Sequence, residues 1–177
     1  VLKSSLGEAL TRRGLGHRVF ERGGRVFIET DDLPAATAVA ARVFGISSLS
    51  PVEVATDADL DTMTRVCKQT FHERVQGKRY AVRCRRQGHQ AFGSMDVERT
   101  LGGALYDGAI VDLSNPEVTV YVEVVGAQAL MFAERVAGAG GLPSAVQGRA
   151  VALMSGGFDS AVAAWCIMKR GVAVDYV

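Results

Sequence analysis

Cysteine is scarce in this sequence: Cys67, Cys84 and Cys166 are the only three, and none forms a CxxC pair. An odd number of scattered thiols excludes a disulfide framework and a cysteine-rich zinc site, and it fits a reducing, cytoplasmic setting. His17, His72 and His89 have no metal-ligand spacing, so no resident metal centre is expected. No apolar run approaches the roughly 20 residues that cross a bilayer, which excludes a membrane-spanning helix as an expectation. Signal-peptide and lipidation patterns are missing as well. So are the GK[ST] lysine of the Walker loop and the GxGxxG dinucleotide fingerprint.

What is present is an ordinary globular composition: 177 residues, 48% of them apolar. A chain of this size buries about 70% of its unfolded surface and needs no disulfide or metal staple. The formal net charge is only +1, but its distribution is uneven. Between Arg65 and Arg99 nine bases face three acids, a local +6 within 35 residues, leaving −5 for the remainder. Such a basic stretch in a neutral chain calls for an anionic partner.

The apolar spacing of Leu2, Leu6, Ala9 and Leu10 predicts a helix. Arg18–Glu21 and Arg25–Glu29 flank Gly23-Gly24 and predict a hairpin. Asp31-Asp32 caps a helix expected to run through Phe44 and to stop at Gly45. Ser47–Ala55 reads as a strand with a break or edge at Pro51. This order is a ferredoxin-like unit lacking its opening strand, and, with Val rather than Met at position 1, it suggests a chain cut at its N-terminus. A second α/β unit follows: a helix from Asp57 or Asp59 to Phe71, a strand at Lys78–Arg86, and a helix capped by Ser94. After these come a short strand at Ala109–Leu113 and a hairpin around Gly126. The Gly-rich stretch 138–148 marks a boundary. Beyond it a strand at Ala150–Met154, a helix at Asp159–Arg170 and a strand from Val172 open a parallel βαβ unit. The expected modules are therefore 1–55, 56–140 and 149–177, all of α/β or α+β class.

The chemistry is concentrated in Ser155-Gly156-Gly157-Phe158-Asp159-Ser160, which joins that last strand to its helix. Glycines let the backbone approach an anion, the helix N-terminus adds partial positive charge, and the two serine hydroxyls can donate to phosphate oxygens. On the Lys78–Arg86 strand, Arg79, Ala81, Arg83 and Arg85 share one face while Tyr80, Val82 and Cys84 share the other. An arginine face suits phosphate recognition; the bland alternative is a solvated surface with scattered ion pairs. Phe92 and Tyr106 are expected to pack in the core rather than to stack on bases. The three cysteines read as small buried hydrophobes, and Trp165 as a core residue.

The hexapeptide resembles the SGGxDS pyrophosphate loop of the PP-loop ATP pyrophosphatases. Phe92–Gly103, Leu113–Val120 and Gly141–Gly148 resemble the THUMP segment of the 4-thiouridine synthetases, or tRNA sulfurtransferases, in which a THUMP domain follows a ferredoxin-like domain and precedes a PP-loop domain. The resemblance spans nearly the whole chain. It implies a ferredoxin-like remnant at 1–55, a THUMP RNA-binding domain at 56–140, and the opening βα of a PP-loop domain at 149–177. It further implies ATP, with Mg, bound by Ser155, Gly156, Gly157, Phe158, Asp159 and Ser160. It implies tRNA bound by Lys78, Arg79, Arg83, Arg85 and Arg86, and a sulfur donor such as a cysteine desulfurase. The implied reaction activates a tRNA uridine O4 with ATP, and persulfide sulfur then displaces AMP; the family is also tied to thiamine biosynthesis. The sulfur-handling cysteine is expected beyond residue 177, so the chain alone is expected to be inactive. The alternatives are a PP-loop synthetase acting on a small molecule and a non-enzymatic RNA-binding module.

Overall fold

Leu6 and Leu10 lie about one turn apart on α1 (Leu2–Thr11) and form its buried stripe. The computed structural model describes residues 1–177, which divide into one unit of Val1–Leu49 with Arg135–Val177 and another of Ser50–Glu134. After α1 comes an antiparallel hairpin, β1 (His17–Arg22) and β2 (Arg25–Thr30), with Phe20 opposite Phe27 and Arg22 opposite Arg25. Its turn places Gly23 and Gly24 at φ +58° and +67°. Two consecutive left-handed residues match the twist of the flanking strands, and glycine reaches that region without steric cost. Val19 and Ile28 turn toward Leu6, Leu10 and the two buried alanines of α2 (Leu33–Ala40), Ala36 and Ala40. The Asp32 carboxylate accepts the Ala35 N–H at 3.0 Å, a side-chain cap.

Two expectations are corrected in this region. Helix α2 ends at Ala40, not Phe44, because the amides of Arg42 and Val43 bond to the carbonyls only three residues back and tighten the chain. The strand expected at Ser47–Ala55 is two strands, β3 (Ser48–Leu49) and β4 (Val54–Asp57), separated around Pro51.

In the second unit β4 lies on the edge of a five-stranded sheet ordered β4-β8-β7-β5-β6. Its chain order is β4, α3 (Leu60–Val75), β5 (Arg79–Gln87), α4 (Ser94–Leu105), β6 (Ile110–Val111), β7 (Val118–Val125) and β8 (Gln128–Phe132). Strand β5 runs parallel to β6 and β7, whereas β8 is antiparallel to β7 and β4. Helix α3 contributes Met63, Cys67, Phe71 and Val75 at four-residue spacing, and α4 contributes Val97, Leu101 and Leu105. These meet Tyr80 and Val82 of β5, Val120, Val122 and Val124 of β7, and Ala129 and Met131 of β8 in one core. The period-two burial on strands and the three- to four-residue period on helices make one face of the sheet apolar. The Tyr80 hydroxyl donates to the Gly102 carbonyl at 2.6 Å, and burial raises its pKa.

Of the two aspartates weighed as the α3 cap, Asp59 takes the role. Its carboxylate accepts the Thr62 N–H at 2.9 Å, and the Thr62 hydrogen bonds hold it below the usual carboxylate range. The cap of α4 is Gly93 rather than Ser94: Asp96 reaches back to accept the Gly93 N–H at 2.7 Å, so Ser94 becomes the first helical residue. The two ends of this unit are tied to each other. The Glu53 carboxylate accepts the Ala133 N–H at 2.9 Å and pairs with Arg74 at 2.7 Å, while the Glu53 N–H donates to Met131 O.

The chain then returns to the first unit through β9 (Val136–Ala137), which pairs antiparallel with β3. Gly138 follows so close to the Ile46 carbonyl that no Cβ fits. Amide–carbonyl bonds from Gly45 to Gly140 and from Gly140 to Ile46, both 2.8 Å, bind the Gly-rich stretch down. Last come β10 (Arg149–Ala152), α5 (Phe158–Lys169) and β11 (Ala173–Tyr176), with β10 and β11 parallel. No helix is long and apolar enough to cross a membrane.

Candidate nucleotide loop and nucleic-acid interface

The loop 153–157 carries the backbone from the end of β10 to the first turn of α5. Gly157 is the helix N-cap, and no side chain caps the helix. No side chain therefore accepts from the first-turn amides, and a helix N-terminus of this kind suits an anion. Ser160 folds back onto the loop, donating to Gly157 O at 3.1 Å and Ser155 O at 3.2 Å, with its Oγ 3.3 Å from that of Ser155. Ser155 Oγ also accepts the Gly157 N–H at 3.4 Å. The two hydroxyls and the glycine backbone thus form one small polar rim.

The glycines of this loop are not explained by the chain itself. A Cβ on Gly156 would meet nothing within 4 Å, and one on Gly157 only an ordinary contact with Ser155 Oγ at 3.6 Å. Neither has a positive φ. Gly138 is fixed by a carbonyl in its way; Gly156 and Gly157 border open space. A cradle that a Cβ would fill fits close approach by a phosphate group. Asp159, in the first turn of α5, is exposed and is not the cap of its helix. Its carboxylate is therefore not committed to the helix end. Phe158 stands almost wholly in solvent, 91% exposed. No three His, Cys, Asp or Glu residues gather as a metal site.

Strand β5 carries its arginines as the alternation predicts, but their engagements differ. Arg79 is held by acids: its backbone N–H and Nε donate to Glu117 Oε2 at 3.0 and 3.2 Å, and Asp112 lies 4.0 Å away. Hydrogen bonds from the Arg79 backbone and side chain lower the Glu117 pKa; those from Asn115 and Ser114 lower that of Asp112. Arg83 donates to Leu113 O at 2.5 Å. Arg86 sits on the opposite face, half-buried, donating to Gln90 at 3.2 Å. Arg85 and Lys78 are exposed. Register places Tyr121 beside Arg83, and Tyr121 stacks on Phe132 with ring centroids 5.4 Å apart. Sequence reading missed this aromatic pair. Its signal was the odd-numbered positions of β7 set against the antiparallel register of β8.

The expected core roles are corrected for several residues. Tyr106 is 64% exposed and Trp165 47% exposed, whereas Phe92 packs at the core margin. Trp165 lies edge-on to Phe44 with Lys169 over its ring. Cys67 is buried, and desolvation pushes its thiol up to about 12. Cys84 is half-buried, with its thiol pushed up to about 11 by desolvation, and Cys166 is exposed rather than buried.

Comparison with known proteins adds to this geometry. The THUMP domain family matches residues 57–134, and the family described as thiamine biosynthesis protein (ThiI) matches residues 145–177. A tRNA sulfurtransferase of Thermoplasma acidophilum is 40% identical over 154 residues, 86% of this chain and 31% of that protein. The structure of PH1313 from Pyrococcus horikoshii superposes with a TM-score of 0.90 at 28% identity, covering 99% of this chain and 62% of that one. A 4-thiouridine synthetase solved as an RNA complex with bound ATP gives 0.75 at 26% identity, covering 99% and 47%. The chain spans less than half the length of the curated relatives it matches.

Proposed function

The chain belongs to the tRNA sulfurtransferase family, and from that premise we propose that it is the RNA-binding and pyrophosphate-loop portion of an enzyme that converts a tRNA uridine to 4-thiouridine. ATP supplies the activation of the uridine O4 and leaves as pyrophosphate and AMP, the displaced oxygen departing with AMP. Sulfur from a persulfide donor, such as a cysteine desulfurase relay, takes its place.

In this reading Ser155, Gly156, Gly157, Phe158, Asp159 and Ser160 hold the pyrophosphate. The backbone amides and serine hydroxyls donate to its oxygens, and Asp159 holds Mg. The THUMP half binds the tRNA through the β5 cations: Lys78 and Arg85 present their charge to solvent, Arg83 lies beside the Tyr121–Phe132 stack, and Arg79 and Arg86 set the strand's flanks. Three modules, 1–55, 56–140 and 149–177, divide the labour. The observation that carries the reading is the pair of glycines facing open space ahead of a helix with no side-chain cap, because the fold itself does not require them.

The test is to supply the intact protein with tRNA, ATP and a persulfide donor and to digest the product to nucleosides. A uridine-to-thiouridine mass shift that depends on ATP is the expected result. Sulfur incorporation without ATP, or none with every component present, refutes the proposal.

A further inference from the structure

Helix α5 carries the Ser155–Ser160 loop at its N-terminal end and is tied down at the other. Ala164 is its only buried residue, so packing on its own two-stranded sheet leaves its direction weakly fixed. The C-terminal end is held by the main chain. The Leu142 N–H donates to Lys169 O at 3.0 Å and the Gln147 N–H to Gly171 O at 2.9 Å. Gly141 lies so close to the Lys169 carbonyl that no Cβ fits. The same Gly-rich stretch is bonded to residues 45–47 through Gly45, Gly140 and Gly138, and a Cβ on Gly45 would meet Pro143 Cγ at 2.8 Å. One strap thus joins the turn after α2 to the last turn of α5. A side-chain contact runs beside it. Trp165, the only tryptophan, meets Phe44 edge-on with ring centroids 5.7 Å apart and planes at 65°. Lys169 Nζ lies 4.9 Å from the Trp165 ring centroid. The core around Leu6 and Leu10 takes Val43 and Ile46 but not Phe44, so the Phe44 ring serves α5 rather than the core of residues 1–49.

We infer that Phe44 and Trp165 are positioning residues for the nucleotide loop: through α5, residues 1–49 set where Ser155–Ser160 stands, without touching a substrate. Both partners lie in the one unit of Val1–Leu49 with Arg135–Val177. The magnitude follows from leverage. The 12 residues of α5 span about 18 Å, so a tilt of about 5° at the anchored end moves the other end by about 1.6 Å. A displacement of about 1 Å at reacting groups costs about a hundredfold in rate. The bonds inside the loop, from Ser160 Oγ to Ser155 O and Gly157 O, are local and survive such a tilt. A tilted loop therefore still holds the pyrophosphate, but holds it out of line with the reacting tRNA oxygen. Turnover falls while ATP binding stays, the mark of an interaction that acts on alignment rather than on affinity. The inference rests on the reading of Ser155–Ser160 as the pyrophosphate loop.

The experiment uses the intact protein and measures ATP–pyrophosphate exchange with tRNA present, resolved into kcat and the KM for ATP. Phe44→Ala and Trp165→Ala are each expected to lower kcat about ten- to a hundredfold, with KM changed by less than about threefold. Trp165→Phe keeps a ring against Phe44 and should recover most of the loss. The two side chains act through one contact, so Phe44→Ala/Trp165→Ala should lose no more than the worse single variant. Rates are taken per folded molecule, counted by circular dichroism well below the melting temperature. A lower melting temperature with wild-type kcat per folded molecule overturns the proposal, because packing alone would do that. Losses that multiply in the double variant overturn it too, as does a raised KM with kcat intact. Asp159→Ala, run in parallel, separates the two readings. If only that variant loses exchange, the positioning role fails and the pyrophosphate-loop reading stands. If the wild type shows no exchange, both fail.

Discussion

Replacing Arg85 and Arg79 separately by alanine should weaken RNA binding to very different extents, although the two residues share a strand face. Arg85 is exposed, and its charge is available to a phosphate. Arg79 is opposed by Glu117 at 3.2 Å and Asp112 at 4.0 Å, so its charge is already matched within the protein. A phosphate that met Arg79 would first have to displace two carboxylates. Each phosphate contact contributes about 0.7 to 0.9 to the slope of log affinity against log salt. Arg85→Ala should therefore reduce the slope by that amount. Between about 50 and 200 mM salt, the variant then loses about threefold less affinity than wild type does. Arg79→Ala should leave the slope nearly unchanged. Glu117→Gln should increase it by partly releasing Arg79. The assay is fluorescence anisotropy with labelled tRNA at five salt concentrations, with circular dichroism to confirm folding. Equal slope changes from Arg79→Ala and Arg85→Ala would refute this account of the charges. An RNA of the same fold and scrambled sequence should bind comparably, since backbone and shape carry this kind of recognition.

Three further outcomes are expected. Gly156→Ala should leave the stability of the chain within about 1 kcal/mol of wild type, because its Cβ meets nothing within 4 Å, while lowering ATP affinity of the intact protein; a large loss of stability with normal ATP binding would assign the glycine to the fold. Asp159→Ala in the intact protein should depress ATP–pyrophosphate exchange far more than tRNA affinity, and full exchange activity would remove Asp159 from the phosphate site. Burial holds the Cys67 thiol neutral up to about pH 12, whereas the unfolded thiol ionises near 9. Its contribution to stability is thus complete below the unfolded value and is lost as pH rises from there toward 12. Cys67→Ala should flatten that alkaline decline, and native Cys67 should resist alkylation while exposed Cys166 reacts.

Local signals made much of this molecule readable. The Gly23-Gly24 hairpin, the four-residue spacing of Met63, Cys67, Phe71 and Val75, and the strand-to-helix setting of Ser155–Ser160 all depend on neighbours within a few positions. What was hidden depends on partners far along the chain. Glu117 lies 38 positions from Arg79, so no pattern around β5 announces that one arginine is neutralised while another is exposed. Tyr121 and Phe132 meet only because β7 and β8 pair in one particular register. Helix α5 is apolar nearly all round from Ala161 to Met168, so its periodicity names no packing face. Only Ala164 is buried there, and Trp165 and Cys166 are exposed in this chain. Tyr106 is the C-cap of α4, one residue past the buried Leu105, so it leaves the apolar stripe that the helix spacing predicts.

The Glu53 clip makes residues 50–134 topologically a closed loop. One carboxylate near the start holds an amide near the end, with Arg74 bracing it, and the β3–β9 ladder closes the same loop from the host's side. Bringing together the ends of a free segment of this length costs about 4 kcal/mol beyond a constant. A module that folds with its ends already joined relieves its host of that cost. Such a module can be lifted out of one chain and set into another at a single point, without lengthening any loop the host must order.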